Sequence, residues 1–269
     1  MSEAQTILRC EQISFAYRRA PVLDQIDLSL MTGEVVSILG PNGSGKSTLL
    51  KLLLGELRGK GQISWEGKAI GRWPRRELAK LVAYLPQNPL IEETQSAAEV
   101  LAMGRAPYWG AFGIENEKDV AVIEAVIEKL QIDQAWLSRR MDQLSGGQRQ
   151  RILIGRCLVQ QAKVLLLDEP TNNLDVKYQL QILSLLRELA KNEGLTVLMS
   201  GHDINLAAEF SDRLVMLSEG KKVADGPPTQ IMQAELLERV YGIGVEVITR
   251  NGGGLVVIPR HSSTTLTTG

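Results

Sequence analysis

A glycine-rich loop between an apolar run and a helical stretch constrains this chain more than any other feature. The apolar run is Val35 to Leu39, and Ser47 to Leu54 has the pattern of a helix. The loop matches G-x-x-x-x-G-K-[ST] in full, with Gly40, Pro41, Asn42, Gly43, Ser44, Gly45, Lys46 and Ser47. A short apolar strand that enters such a loop and then a helix predicts an α/β protein with a largely parallel sheet.

The chemistry of this loop predicts a site for ATP and Mg²⁺. Its glycines allow backbone N–H groups to curl around phosphates, and the following helix points its positive end at them. Lys46 is expected to neutralise the β- and γ-phosphates, and Ser47 to place its hydroxyl on Mg²⁺. Thr48, the next residue, is assigned to the same nucleotide-binding set.

A second apolar run, Val164 to Leu167, ends in the carboxylates Asp168 and Glu169. Ligands of open α/β sheets bind at the carboxyl ends of the strands, where these two residues are expected to lie. Asp168 is the predicted partner of Mg²⁺, and Glu169 is the predicted base for the attacking water.

A third motif, before the helical pattern of Arg149 to Val159, predicts another anion site. It consists of Leu144, Ser145, Gly146, Gly147 and Gln148. Two glycines after a serine at a helix start present free backbone N–H groups. One ATPase fold has no evident need for two phosphate sites, so we expect this motif to serve the ATP of another subunit.

With these motifs in this order, the chain resembles the nucleotide-binding subunit of an ATP-binding cassette (ABC) transporter from about Leu8 to Gly242. The resemblance implies an ATPase with a mostly parallel core sheet and an antiparallel β sub-domain. The helical pattern from Ile91 to about Gln161 itself predicts an inserted helical sub-domain. The resemblance divides the chain into an ATPase domain at 6–243 and a short C-terminal extension at 244–269. We expect the Ser/Thr-rich end of that extension to be frayed.

The resemblance also gives roles to single residues. Tyr17 matches the aromatic residue that stacks on adenine, and Gln87 matches the glutamine that contacts Mg²⁺ and the attacking water. His202 matches the switch histidine on the γ-phosphate, so the implied catalytic set is Glu169, His202, Gln87 and Lys46.

The segment Asn172-Asn173-Leu174-Asp175 occupies the position of the family's D-loop. Asp175 is present and joins the predicted nucleotide-binding residues. Many relatives carry small residues before Leu-Asp, so the two asparagines are a departure. In this family two copies meet head to tail, and the loop at 40–47 of one copy faces Ser145 and Gly147 of the other.

Finer resemblance points to ATPases that serve uptake of iron–siderophores, haem and cobalamin, with the ferric hydroxamate group the nearest. It rests on Met103 to Gly110, on His202 to Ala208, and on Gly226 to Gly242. This implies a homodimer on the cytoplasmic face of the inner or plasma membrane. It also implies separate permease subunits and an extracytoplasmic substrate-binding protein.

Composition narrows the alternatives. No run approaches the roughly 18 apolar residues of a membrane span, and the start of the sequence lacks the pattern of a secretory signal. A net charge of −1 and a pI near 6.2 argue against broad nucleic-acid binding. A soluble ABC ATPase for iron–sulfur cluster assembly remains an alternative. DNA-repair and ribosome-associated ABC ATPases rank behind it, because they usually carry paired cassettes or a long coiled-coil insertion. This sequence has one phosphate-binding loop of the 40–47 type, one 144–148 motif and no heptad stretch.

Overall fold

The computed structural model describes residues 5–18, 20–89, 94–109, 117–172, 174–250 and 254–260. The strands in these residues are β1 (Thr6–Tyr17), β2 (Ala20–Met31), β3 (Val35–Leu39), β4 (Lys60–Trp65), β5 (Lys68–Ala69), β6 (Val82–Leu85), β7 (Val164–Asp168), β8 (Thr196–Ser200), β9 (Arg213–Ser218), β10 (Lys221–Gly226), β11 (Val245–Thr249) and β12 (Leu255–Pro259). The α-helices are α1 (Lys46–Leu53), α2 (Arg75–Leu81), α3 (Ala97–Met103), α4 (Glu117–Lys129), α5 (Gln134–Leu137), α6 (Gly146–Val159), α7 (Val176–Glu193), α8 (Ile204–Phe210), α9 (Pro228–Ile231) and α10 (Ala234–Tyr241). Short 3₁₀ turns cover Ile70–Arg72, Ala106–Tyr108 and Met141–Gln143.

The central sheet has the strand order β10-β9-β3-β8-β7-β6. Every neighbouring pair is parallel except β9 and β10. All residues of β3, β7 and β8 are buried, which explains why these strands read as apolar runs without alternation. The mostly parallel core is therefore confirmed, and the loops after β3, β7 and β8 leave the sheet at its carboxyl edge.

An antiparallel sheet with the order β2-β1-β4-β5 forms the predicted β sub-domain. Strands β1 and β2 have twelve residues each and extend beyond their apolar segments. The polar ends pair through backbone hydrogen bonds that leave little trace in the hydrophobic pattern. Trp65 of β4 is fully buried and donates its indole N–H to Leu53 O at 2.9 Å, which ties this sheet to α1.

The inserted helical sub-domain consists of α3, α4, α5 and α6 in the described part of the chain. Helices α3 and α6 approach so closely that a Cβ on Gly104 would lie 2.2 Å from Arg156 O. Arg105 follows and binds Asp119 of α4 at 2.8 Å and Val159 O of α6 at 2.8 Å, with both charged side chains buried. Residues 91–93 and 110–116, including the end of the predicted Met103–Gly110 segment, lie outside the described residues.

Beyond α10 the chain forms a β-hairpin of β11 and β12, which the sequence analysis did not identify. Asn205 of α8 holds the hairpin through two hydrogen bonds to Val257. Asn205 Nδ2 donates to Val257 O at 3.2 Å, and Val257 N donates to Asn205 Oδ1 at 2.8 Å. The predicted boundary after residue 243 stays a prediction, and His261 to Gly269 lie outside the described residues. Strand β10 and helix α2 were also missed, because both are short and half exposed.

Candidate nucleotide site

The loop after β3 is shaped by glycines at positive φ, with 148° at Gly40, 79° at Gly43 and 101° at Gly45. A Cβ on Gly40 would lie 2.0 Å from Leu217 O, and one on Gly45 would lie 2.5 Å from Leu23 Cδ2. A Cβ on Gly43 would meet nothing within 4 Å. Packing therefore fixes two of the glycines, whereas the third leaves an open face on which a phosphate group fits.

Lys46 is the first residue of α1, and its side chain is almost fully buried. Its ammonium group donates to Gly40 O at 2.8 Å and to Pro41 O at 3.0 Å. Burial lowers the pKa of Lys46, while the carboxylates of Glu169 and Asp168 oppose this effect. The charge is thus held inside the loop, next to the end of β7.

A cavity of about 770 Å³ opens above the loop. It is lined by residues 42–48 together with Val22, Gln87, Glu169 and His202. Ser44 Oγ is buried and has no hydrogen-bond partner within the described residues. An unpartnered hydroxyl, a buried lysine and the backbone at a helix start suit a polyphosphate group.

The end of β7 presents the two predicted carboxylates differently. Asp168 is buried and accepts a hydrogen bond from Ser200 Oγ of β8 at 2.6 Å, and the same Oγ accepts from Glu169 N at 2.9 Å. Tyr84 on β6 has a buried hydroxyl without a partner in the described chain, and burial with nearby Asp168 and Glu56 raises the pKa of Tyr84. Asp168 is therefore fixed beneath the cavity, and Glu169 enters it.

Glu169 adopts a left-handed conformation with φ of 52°. Its Oε2 accepts hydrogen bonds from Gln87 Nε2 at 3.0 Å and from Asn172 Nδ2. His202 Nδ1 lies 3.9 Å from the same oxygen, and the His202 side chain is well exposed. Three polar groups from separate loops therefore surround one carboxylate.

The predicted metal ligands Ser47, Gln87 and Asp168 offer a hydroxyl, an amide and a carboxylate oxygen. The described residues contain no group of three or more His, Cys, Asp or Glu side chains that could hold a metal ion. Mg²⁺ accepts oxygen ligands and is commonly held by one or two protein groups with substrate phosphates and water. The hydroxyl of Ser47, the amide of Gln87 and the carboxylate of Asp168 therefore fit Mg²⁺ that arrives with a nucleotide.

The motif at 144–148 lies at the start of α6 and does not line this cavity. Gln148 N donates to Ser145 Oγ at 3.3 Å, and Ser145 N donates to Gln148 Oε1 at 3.0 Å. This reciprocal capping box fixes the helix start and leaves the N–H groups of Gly146 and Gly147 pointing outward. The two anion sites of the sequence are thus separate places in one chain.

Comparison with known proteins agrees with this geometry. A family model described as ABC transporter matches residues 23–172, more than half of the chain. The chain belongs to the ABC transporter family. As an ATP-binding subunit of this family, it is an ATPase.

Several relatives of this ABC ATPase match over most of their length and most of this chain. The iron(3+)-hydroxamate import ATP-binding protein FhuC of Bacillus subtilis (strain 168) is 36% identical over 243 residues, 90% of each chain. A hemin import ATP-binding protein HmuV of Aliivibrio fischeri is 39% identical over 246 residues, 90% of this chain and 93% of that one. A solved structure described as an inward-facing metal-chelate type ABC transporter aligns with a TM-score of 0.83 at 27% identity, covering 96% and 98% of the two chains.

No helix in the described part of this ABC ATPase is long and apolar enough to span a membrane.

Of its predicted site residues, the structure brings residues 42–48 together with Gln87, Glu169 and His202. Asp175 instead caps α7 by accepting from Tyr178 N at 3.0 Å. Tyr17 is 47% exposed and packs edge-to-face on Phe15, with the two ring centroids 4.8 Å apart. It does not line the cavity. Its role with adenine stays a prediction.

Sequence reasoning missed two side chains of this site, Ser200 and Asn172. Ser200 stands two residues before His202 at the end of an apolar strand, so the carboxyl-edge rule would have placed it beside Asp168. Asn172 was noticed only as a departure in the D-loop, and Asn173 lies outside the described residues. The contact of Asn172 with Glu169 depends on a backbone turn that no local motif predicts.

Proposed function

We propose that this chain is the ATP-hydrolysing subunit that drives import of an iron chelate through separate permease subunits. The support is the concentration of Lys46, Glu169, Gln87 and His202 around one polyphosphate-sized cavity. The names of the relatives, which are import proteins for iron–hydroxamate and hemin, give the class of cargo. The alternative of iron–sulfur cluster assembly is not favoured, because these relatives are named for import.

In this proposal the residues around the cavity divide the work of phosphate binding and water activation. The N–H groups at 42–48 and the ammonium of Lys46 bind the β- and γ-phosphates, and Lys46 leaves its two loop carbonyls to do so. Glu169 accepts the proton of the attacking water. Gln87 orients that water, and His202 contacts the γ-phosphate from the loop after β8.

Ser47, Gln87 and Asp168 would hold Mg²⁺, which would neutralise phosphate charge when it is bound. Asp168 is already oriented by Ser200, so little rearrangement is required of it. Tyr17 completes the site as the predicted platform for adenine. It is the last residue of β1, and the neighbouring strand β2 contributes Val22 to the cavity lining.

The second half of the proposed site comes from another copy. Gly146 and Gly147 carry outward N–H groups but lie outside their own chain's cavity, so they suit the ATP of a partner subunit. Closure of a homodimer on two ATP molecules then provides the differential contact that switches the permease. We place the dimer at the cytoplasmic face of the inner or plasma membrane, with an extracytoplasmic protein that delivers the chelate.

The test is a mild-detergent pull-down of the tagged chain from native membranes, followed by mass spectrometry and uptake assays in intact cells. We expect a multi-span permease in the eluate. We also expect uptake of a labelled ferric hydroxamate or haem that is lost in the Glu169→Gln variant. Recovery of soluble assembly factors without a permease would overturn the transport proposal and leave the ATPase standing.

A further inference from the structure

The carboxylate of Glu169 is held asymmetrically. Gln87 Nε2 and Asn172 Nδ2 both donate to Oε2, and His202 Nδ1 also lies on that side at 3.9 Å. Within the described residues, Oε1 accepts no hydrogen bond. One oxygen is therefore occupied by amide donors, and the other is available to a water molecule in the cavity.

Asn172 differs from the other two groups because it belongs to the same turn as Glu169. Its backbone N–H donates to Glu169 O at 3.2 Å, which closes the turn three residues after the carboxylate. The positive φ of Glu169 starts this turn and lets the Asn172 amide fold back over the carboxylate. Gln87 and His202 approach on loops after β6 and β8, so they are not tied to Glu169 in the same way.

Two helices fix this turn from outside. Gln150 Nε2 of α6 donates to Pro170 O at 2.7 Å, and Gln179 Nε2 of α7 donates to Thr171 O at 3.2 Å. The two carbonyls between Glu169 and Asn172 are thus anchored to the body of the protein. A short side chain on an anchored turn holds its partner more rigidly than a long side chain on a free loop.

We propose that Asn172 is a positioning residue for hydrolysis: its amide fixes Oε2 of Glu169 so that Oε1 faces the attacking water. The proposal rests on the proposed role of Glu169 as the base. Asn172 itself touches neither the phosphates nor the water. Its removal leaves the carboxylate with the single amide donor of Gln87, on a separate loop, which lowers the fraction of productive orientations without changing the phosphate-binding loop.

The decisive variant is Asn172→Asp, because it keeps the size of the side chain and replaces the amide donor by an acceptor. It also places a second carboxylate against Oε2, which turns Glu169 away from its present orientation. We expect kcat for ATP hydrolysis by the full chain to fall about 100-fold, and about 10-fold in Asn172→Ala, which is at or below the roughly 10²–10⁴-fold that a general base itself contributes. The dissociation constant for ATP should change less than about twofold.

Two controls separate positioning from damage to the fold. Asn192→Asp adds the same charge at an exposed position near the end of α7 and should leave turnover unchanged. Asn172→Ser keeps a short hydroxyl donor and should recover part of the activity lost in Asn172→Ala. A structural role would lower ATP binding and turnover together and would not distinguish serine from alanine.

Measurements in the Glu169→Gln background distinguish the positioning role of Asn172 from the role of Glu169 as the base. We expect Asn172→Asp to produce no further loss there, because Asn172 acts through the Glu169 carboxylate. Wild-type turnover in Glu169→Gln alone would overturn the role of Glu169. An inactive Glu169→Gln with wild-type kcat in Asn172→Asp would overturn only the positioning role, and so would an additional loss in the double variant.

Discussion

Two segments of this chain offer backbone N–H groups to an anion, and they differ in how complete they are. The loop after β3 has an unpartnered polar atom facing its cavity, since the hydroxyl of Ser44 is buried without a hydrogen bond in the described chain. The start of α6 has its side chains satisfied by the mutual bonds of Ser145 and Gln148.

This difference separates a site that a single chain can use from one that needs a second chain. Buried polar groups without partners cost free energy, and a ligand that satisfies them recovers that cost. The loop at 40–47 is therefore expected to bind nucleotide in the monomer. The start of α6 has only its outward N–H groups to offer, so it contributes when a partner brings a phosphate to it.

The largest effect should come from Lys46→Ala, which removes the cation of the first site. We expect kcat/KM for ATP to fall about 1,000-fold, because the β- and γ-phosphates lose their charged partner. Isothermal titration with ATP should show that the loss is in binding as well as in turnover. Lys51→Ala, at the far end of the same helix, serves as the control and should bind ATP normally.

Gly147→Asp should separate the two sites most clearly. A Cβ here would lie 3.6 Å from Leu174 Cδ2 and from Tyr178 Cδ2, so the side chain fits, and an acidic residue suits the first turn of a helix. We expect unchanged ATP binding by the single chain but a fall in kcat of about 100-fold, because the carboxylate repels the partner's γ-phosphate.

Gel filtration with ATP in the Glu169→Gln background measures the same effect on assembly. Glu169→Gln alone should accumulate ATP-bound dimers, and the double variant with Gly147→Asp should remain monomeric. A dimer that forms equally well in both proteins would show that the start of α6 is not part of the nucleotide interface.

The two sites were predictable from the sequence because each is a local pattern. The glycines at 40–47 predict the turn of the loop. Asp168 and Glu169 stand at the end of an apolar strand that is buried on both faces. The rule that parallel strands bind ligands at their carboxyl edge placed Asp168 and Glu169 at the site, whereas His202 was assigned through the family resemblance. Ser145 and Gln148 form a capping box that is visible in the sequence itself.

What the sequence did not predict depends on contacts between distant segments. The hairpin of β11 and β12 is held by Asn205, which lies far from it along the chain. The bond from Asn172 to Glu169 requires a turn anchored by Gln150 on another helix. The position of Tyr17 outside the cavity depends on how the antiparallel sheet meets the core, which residue patterns do not specify.

A smaller effect is expected from Ser145→Ala, which removes the side-chain cap of α6. The loss of an N-cap costs about 1 kcal/mol in the free energy of unfolding, measured by urea denaturation. Ser96→Ala is a matched control, because Ser96 and Glu99 form the same capping box at α3. Both variants should lose similar stability, but only Ser145→Ala should also slow ATP turnover. Equal turnover in the two would limit Ser145 to a structural role.

The smallest effect should appear at alkaline pH, at the buried hydroxyl of Tyr241. Burial raises the pKa of Tyr241 to about 12, and the nearby backbone of Gly40 partly offsets this. Between the unfolded pKa near 10 and that value, the unfolded chain loses its phenolic proton while the folded chain keeps it, so stability falls as pH rises.

Tyr241→Phe removes this dependence. At pH 10.5 the wild type should lose less than about 1 kcal/mol more of its unfolding free energy than the variant, relative to pH 8. Urea denaturation of both proteins at the two pH values measures the difference. Equal losses would mean that the Tyr241 hydroxyl ionises as freely in the folded chain as in water.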